Sequence, residues 1–265
     1  MSLNLRETFR EEVRAARAQL AGGTADHDTA IHEARRCIKR ARSALKLVRS
    51  ALGERYAREN ARLRRIAGGL TAFRDAAAMI ETFDELGCKG FQSVRAGLLG
   101  MKKEVESAAD VAEAMRKAAK ALTPGGEWPE DAASADAIKQ GFRTAWQQGK
   151  KALRRVRRDP LPENFHDLRK RVKTYRFQLR FTGVDDKRLN ALDNWLGEAH
   201  NLTVLDQRIA EKPARFGREA PVAEFLRLIR ERRELLEKRA LTAGRKLYGG
   251  KPLRPGRAKS KPASR

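Results

Sequence analysis

One stretch of this sequence occurs twice. Residues 32–47 read HEARRCIKRARSALKL and residues 166–181 read HDLRKRVKTYRFQLRF, and the two align without a gap at a constant offset of 134. Successive residues of an α-helix turn by about 100°, so each copy would place one histidine and four basic residues within about 80° of one another. These two cationic stripes consist of His32, Arg35, Lys39, Arg42 and Lys46 in the first copy, and of His166, Arg169, Lys173, Arg176 and Arg180 in the second.

Each copy also carries an apolar stripe, about 100° around the helix from its cationic stripe. A helix of this kind buries one side in a core and displays the other side to solvent. The sequence therefore predicts two equivalent amphipathic helices, each presenting a row of positive charge. The matched apolar residues are Ile38, Ala41 and Leu45 in the first copy and Val172, Tyr175 and Leu179 in the second.

The duplication extends beyond the stripes. Residues 8–20 align with 141–153 and residues 63–79 with 189–205, and no alternating run typical of a strand occurs. The pattern predicts an all-α fold of two four-helix bundles related by a pseudo-twofold axis. The expected divisions are a first bundle at 1–122, a linker at 123–135, a second bundle at 136–245 and a disordered basic tail at 246–265.

Two features of the first half are predicted in more detail. A long helix from Tyr56 to Leu86 should kink or make a close helix contact at Gly68 and Gly69. A single amphipathic helix should then run from Phe91 to about residue 122.

The charge balance indicates a polyanionic partner. Lys and Arg total 58 against 34 Asp and Glu, a formal net charge of +24. Nucleic acid, an anionic membrane surface and inorganic phosphate polymers all fit this excess. Cys37 and Cys88 lack the spacing of a disulfide framework or a zinc site. No apolar run approaches the roughly 20 residues that span a bilayer, and no signal peptide is recognised at the N-terminus, so a soluble cytoplasmic protein is expected.

Four motifs make the chain resemble the CHAD family, the conserved histidine α-helical domain. They are H-E-x-R-R-x-x-K-R-x-R at 32–42, L-x-x-x-R-D at 70–75, H-D-x-R-K-x-x-K-x-x-R at 166–176 and L-G-x-x-H-N at 196–201. The resemblance covers roughly residues 1–245. It implies two four-helix bundles whose basic central surface binds inorganic polyphosphate without catalysis, metal or cofactor. It also implies an association with polyphosphate granules and with polyphosphate-metabolising enzymes as partners.

Two residues depart from the symmetry of the motifs. Thr174 stands where the first copy has Arg40, and Asn201 stands where the first half has Asp75. Both leave the cationic stripes intact, but they put the equivalence of the two halves in doubt.

The candidate polyphosphate-binding residues comprise both stripes and nearby cations. His32 and His166 sit close to expected helix N-termini, where backbone N–H groups and the helix dipole favour anions. His200 could instead pack beside Gly197, and Arg74 could instead pair with Asp75. The candidates outside the stripes are Arg36, Lys170, Arg10, Arg17, Arg143, Lys150, Arg74 and His200.

Glu33 and Asp167 follow the two histidines and lie about 150° from the centre of the cationic stripes. A structural role, such as pairing with a neighbouring Arg, is therefore expected of them.

Two other functions stay open at this point. A nonspecific nucleic-acid-binding protein could use the same basic surface, but aromatic residues total only 6% and most fall on apolar positions, which disfavours base stacking. A phosphate-chain hydrolase would need clustered carboxylates for divalent metal, and the sequence has no such cluster. The basic tail is either an arm for polyanions or an unstructured end.

Overall fold

A computed structural model describes residues 3–22, 26–123, 125 and 128–253. Within these ranges the chain forms eleven α-helices and two short 3₁₀ turns and contains no strand, which confirms the all-α prediction. The helices are α1 (Leu5–Ala21), α2 (His27–Leu47), α3 (Arg49–Leu52), α4 (Glu54–Gly68), α5 (Thr71–Glu85), α6 (Gln92–Ala108), α7 (Val111–Ala121), α8 (Ala135–Arg158), α9 (Pro162–Arg180), α10 (Lys187–Glu211) and α11 (Glu219–Gly249).

The order of helices repeats along the chain. The pair α1 and α2 corresponds to the pair α8 and α9, and in both pairs the two helices pack against each other. The stripe helices α2 and α9 also pack against one another across the two halves. The broken helix α4–α5 corresponds to the continuous helix α10, and α6–α7 corresponds to α11.

Two hydrophobic cores hold these helices together. The first joins α1, α2, α4 and α7 to α8, α9, the first part of α10 and the last part of α11. The second joins α5 and α6 to the remaining parts of α10 and α11. Each core therefore draws helices from both sides of the predicted linker, and the pairing of the halves is part of the fold itself.

The helix breaks follow local chemistry. The predicted interruption at Gly68 and Gly69 is present, because α4 ends at Gly68 and α5 begins two residues beyond Gly69. The single helix predicted from Phe91 to residue 122 is wrong. It divides at Asp110, whose carboxylate accepts a hydrogen bond from the Glu113 N–H at 3.0 Å and so caps a new helix.

The end of the predicted linker packs as part of the first core. The Trp128 side chain is buried, with its ring centroid 5.6 Å from that of Phe9. A 3₁₀ turn follows at Glu130–Ala133, in which Ala132 is buried. Residues 124, 126 and 127 of this segment lie outside the described part of the chain.

The last helix is longer than the sequence predicted. A tail beginning at residue 246 is wrong, because α11 continues to Gly249 and buries both Leu247 and Tyr248. The Tyr248 ring lies 4.7 Å from Trp146, centroid to centroid, and the Tyr175 hydroxyl donates a hydrogen bond to the Leu253 carbonyl. The remainder of the predicted tail, residues 254–265, falls outside the described residues.

Two C-terminal deletions should therefore behave differently. Deleting residues 254–265 should lower the unfolding free energy by less than deleting residues 247–265. Deleting residues 247–265 removes a buried Leu and a buried Tyr, each of which stabilises a core by several kcal/mol (roughly 2–5). Urea denaturation compares the two. Equal losses of stability would contradict this account of the C-terminus.

Gly141 fixes how close α8 approaches the end of α2. A Cβ at this position would lie 1.8 Å from the Leu47 carbonyl oxygen, so the two backbones could not pack this closely with any larger residue. The close approach places the side of α8 that carries Ala145 and Gln148 beside the stripe of α2. Among the described helices, none combines the length and the apolar character needed to cross a membrane.

Candidate functional site

The two cationic stripes lie side by side. The charges of Lys173 and Arg169 act on Lys39, and the charge of Lys170 acts on Lys46. Arg36 acts on Lys173 and on Arg176. Higher residue numbers on α2 thus meet lower residue numbers on α9, which means that the helices run antiparallel and form one basic surface.

A cavity of about 490 Å³ opens in this surface where the second half of α2 faces the first half of α9. It contains five cations and a single carboxylate, that of Asp167. The lining residues are Arg42, Lys46, Arg64, Ala145, Gln148, His166, Asp167, Lys170, Arg171 and Thr174.

Neutral partners hold several of these cations in position. The Arg42 Nε donates to the Asn60 side-chain oxygen at 2.9 Å, and the Arg171 Nη1 donates to the Gln148 side-chain oxygen at 2.8 Å. The Lys46 ammonium donates to the Thr174 hydroxyl at 3.3 Å. Amide and hydroxyl partners orient a cation without cancelling its charge, so the charge stays available to an anionic ligand.

At the other end of the stripes the cations are compensated by acids. The predicted structural role of Glu33 is confirmed, because it pairs with Arg36, and Arg74 pairs with Glu81 rather than with Asp75. The closest N–O distances are 3.1 Å for Arg36–Glu33, 2.8 Å for Arg74–Glu81, 3.0 Å for Arg176–Asp193 and 3.0 Å for Arg180–Asp185. At the cavity, Lys170 and Arg171 share the single carboxylate of Asp167, at 3.7 and 3.4 Å. No acid among the described residues lies within ion-pair distance of Arg42, Lys46 or Arg64, so positive charge exceeds its compensation there.

The pair of Arg176 and Asp193 is buried. The Asp193 side chain is 4% exposed and the Arg176 side chain 13%, so removing either partner would strand a charge away from water. Asp193 also acts on Lys173 and Arg169, which makes it the buried counter-charge of the second stripe. The ion pair of Arg176 with Asp193 thus links α9 to α10.

Arg35 has a comparable structural task in the first half. Its guanidinium donates to the Ala67 carbonyl at the end of α4 and, at 2.8 Å, to the Thr71 hydroxyl at the start of α5. It therefore spans the break between these helices. Its counterpart Arg169 has a buried Nε without a hydrogen-bond partner among the described residues.

His166 and His200 lie together, whereas His32 lies apart from them on α2. The His166 and His200 rings lie 4.4 Å apart, and the buried Nδ1 of His166 lacks a partner in the described chain. Burial, followed by the charge of Arg169, lowers the pKa of His200 to about 3. Burial also lowers the pKa values of His32 and His166. Near neutral pH these rings are neutral, so they can offer a ligand hydrogen bonds rather than positive charge.

The helix N-termini contribute less than the sequence suggested. His32 is the sixth residue of α2 and His166 the fifth residue of α9. The unpaired backbone N–H groups of a helix belong to its first four residues, so neither histidine sits among them.

Two lysines at the junction of the stripes have lowered pKa values. Partial removal from water, followed by the charge of Lys173, lowers the pKa of Lys39 to about 7. Burial lowers the pKa of Lys46 to about 8, and the charge of Arg42 lowers it further. Lys39 remains exposed, so it lines an open groove and not a closed core. An anion bound there would favour the protonated form of both amines.

Of the predicted site residues, Arg42, Lys46, His166 and Lys170 line the cavity, and four of the others lie on α1 or on the far side of α8. Arg10 and Arg17 lie on α1, and Arg10 is 4.0 Å from Glu7. Arg143 and Lys150 lie on α8 at about 140° and 160° around the helix from Gln148, which lines the cavity.

Sequence reasoning missed Arg64 and Arg171 as lining residues. Arg171 adjoins the second stripe in the run RKR at 169–171, a signal that was available. Arg64 lies in a helix with many arginines, and only packing distinguishes it from the others. In the described residues, no three His, Cys, Asp or Glu side chains are grouped so that they could hold a metal ion.

Comparisons with known proteins bear on the whole chain. The family model of the CHAD domain matches residues 7–185. The structure is similar to that of PptA from Streptomyces chartreusis, with a TM-score of 0.67 and 17% identity over 93% of this chain and 98% of that chain. It is also similar to the CHAD domain from the plant Ricinus communis, with a TM-score of 0.66 and 19% identity over 96% of this chain and 94% of that chain. No curated protein matches the sequence.

Proposed function

The chain belongs to the CHAD domain family, and on that premise we propose that it binds inorganic polyphosphate in the groove between α2 and α9. The binding is non-catalytic and needs no cofactor. The observation that carries the proposal is the cavity in which five cations from α2, α4 and α9 surround space with only one carboxylate among them.

The chemistry of the lining suits a phosphate chain. Such a chain carries a regular row of anionic oxygens and no base to read, so a receptor needs a row of donors. Arginine offers a fork that can take two phosphate oxygens, and lysine offers a movable point charge. The residues proposed to contact the ligand are Arg42, Lys46, Arg64, Lys170 and Arg171, with Lys39, Arg169, Lys173 and His166 extending the row along both helices.

The remaining stripe cations are assigned mainly structural roles. Arg35 bridges a helix break and Arg176 is neutralised by a buried carboxylate. Arg36, Arg74 and Arg180 each have an acid partner, so a ligand would have to compete for them. His32 and His200 flank the groove as neutral donors.

Two assays separate this function from its rivals. Incubation with polyphosphate and Mg²⁺ should release no phosphate, whereas a hydrolase would release it. In a competition assay, polyphosphate should displace single-stranded and duplex nucleic acid from the protein. Tighter binding of nucleic acid would instead favour a nonspecific nucleic-acid-binding protein. The proposal also expects the protein in the cytoplasm, with polyphosphate granules and polyphosphate-metabolising enzymes, which fluorescence microscopy with and without cellular polyphosphate would test.

Salt should weaken the binding in a predictable way. A plot of the logarithm of the association constant against the logarithm of the salt concentration should be a straight line. Its slope should be about −0.7 per phosphate contacted, or about −3.5 for contacts with the five cations of the cavity. Titration at four salt concentrations gives the slope. A slope near zero would contradict an ion-paired groove.

Binding should also take up protons. At pH 8 the lowered pKa of Lys39, about 7, leaves its amine mostly neutral, and Lys46, with a pKa of about 8, is partly neutral. A bound polyanion raises both pKa values, so protons are taken up and the affinity falls as the pH rises from 7 to 9. Calorimetry in two buffers of different ionisation enthalpy measures the uptake.

The control for proton uptake is Lys39→Arg, which keeps a charge at all these pH values. It should bind polyphosphate with less proton uptake and a weaker pH dependence. Unchanged uptake in this variant would exclude Lys39 as the titrating group.

A further inference from the structure

Positive charge continues out of the cavity along α8. This helix contains no acid from residue 137 to residue 158, and its last three turns hold six basic residues. Lys151 and Arg155 are exposed, and in the described chain no acid lies within ion-pair distance of either. The residues of this basic segment are Lys150, Lys151, Arg154, Arg155, Arg157 and Arg158.

The helical period divides this segment into two sides. Gln148 lines the cavity and so marks the side of α8 that faces it. Arg155 lies about 20° and Lys151 about 60° from Gln148 around the helix, whereas Arg154 lies about 120° and Arg157 about 180° away. Lys151 and Arg155 therefore lie on the side of α8 nearer to Gln148 but beyond the residues that line the cavity, and the other pair lies on the opposite side.

The two ends of the groove differ in free charge. Towards the N-terminus of α2, the cations Arg36, Arg74, Arg176 and Arg180 all have acid partners. Towards the C-terminus of α8, only Arg158 is paired, with Asp159 at 3.0 Å. A polyanion that fills the cavity thus meets Lys39, Arg169 and Lys173 and then paired cations in one direction, and the mostly unpaired cations of α8 in the other.

Resting on the proposed function, we infer that Lys151 and Arg155 form a second subsite, which binds the units of a long polyphosphate chain that emerge from the cavity. Lys151 and Arg155 lie about 4.5 Å and 10.5 Å along the axis of α8 from Gln148, so tripolyphosphate held by the cavity cations lies short of Arg155, whereas a long chain reaches both. The protein consequently prefers long chains, because the second contact is intramolecular once the first is made.

The test compares two variants of α8 that change the charge equally. Lys151→Glu with Arg155→Glu alters the side that faces the cavity, and Arg154→Glu with Arg157→Glu alters the opposite side. Each is titrated with tripolyphosphate and with chains on the order of a hundred units. Circular dichroism and thermal unfolding confirm the fold, and Lys151→Ala with Arg155→Ala replaces the first variant if it is unstable.

The expected result is specific to one variant and one ligand. Lys151→Glu with Arg155→Glu should bind the long chain about tenfold more weakly, with a salt slope lower by about 1.4, the share of two contacts. Its tripolyphosphate affinity, and both affinities of the Arg154 and Arg157 variant, should change by no more than about twofold.

Other outcomes overturn the inference. Equal weakening by the two variants would show that the α8 cations act only through nonspecific long-range electrostatics. No weakening by either variant would show that the polyphosphate chain leaves the cavity along another path. Normal tripolyphosphate binding in those cases would leave the proposed function standing. Failure of the unmodified protein to bind polyphosphate of any length would overturn both.

Discussion

Reversing the charge of two lysines on either stripe helix, α2 or α9, is expected to weaken binding of a long polyphosphate chain by about a hundredfold or more. The changes are Lys39→Glu with Lys46→Glu on α2, or Lys170→Glu with Lys173→Glu on α9. Each lost charge-assisted contact costs roughly 1.5–3 kcal/mol, and the new carboxylates repel the ligand as well. Because the two stripes face one groove, losing either one should disable the site as a whole.

The choice of lysines follows from the ion pairs. A variant at Arg176 would strand the buried Asp193, and its loss of binding could reflect a loss of fold. None of the four lysines forms an ion pair with a buried acid: Lys170 pairs with the partly exposed Asp167 at 3.7 Å, and Asp193 acts on Lys173 without pairing with it. The control is Lys89→Glu with Lys103→Glu, which makes the same charge change at exposed positions that do not line the cavity.

Calorimetric titration distinguishes a shared groove from two independent sites. In a shared groove, each stripe variant loses affinity. With independent sites, each would halve the stoichiometry and leave the remaining affinity unchanged, and that result would rule out the shared groove. Circular dichroism accompanies each titration, because an unfolded helix would imitate a lost contact.

Asp193→Asn should have opposite effects on stability and on binding. The Asp193 carboxylate is buried against Arg176 and acts on Lys173 and Arg169. Removing its charge leaves a buried guanidinium uncompensated, which should lower the unfolding free energy by about 3 kcal/mol. The same change raises the positive potential of the groove, so polyphosphate affinity should increase severalfold.

Urea denaturation with and without polyphosphate measures both effects. Bound ligand stabilises by mass action, so polyphosphate should recover more stability in Asp193→Asn than in the unmodified protein. Asp185→Asn is the matched control, since its carboxylate pairs with Arg180 but is 62% exposed, and its removal should cost at most about 1 kcal/mol. Equal stability losses in the two variants would show that burial of Asp193 has no special role.

Much of the fold could be predicted from the sequence because helical periodicity is local. The repeat of charged and apolar positions placed Lys39 and Lys173 on the solvent-facing sides of equivalent helices. Gly68 and Gly69 correctly predicted the break between α4 and α5. These inferences need only the 100° turn per residue and the chemistry of each side chain. The division at Asp110 was missed, because an Asp within an amphipathic pattern serves equally well on a wet helix face or as a cap.

The sequence alone determined that two matched helices would each carry a cationic stripe, and its charge balance predicted a polyanionic ligand. Only the tertiary structure decided which of those cations are free. Arg74 finds its acid partner two turns along its own helix, and Arg176 finds its partner on the next helix. Arg64 reaches the cavity from a third helix. The helical period fixes the direction of a side chain around its own axis. Its partners depend on which helices pack together and how deeply, and these long-range contacts leave no periodic trace in the chain.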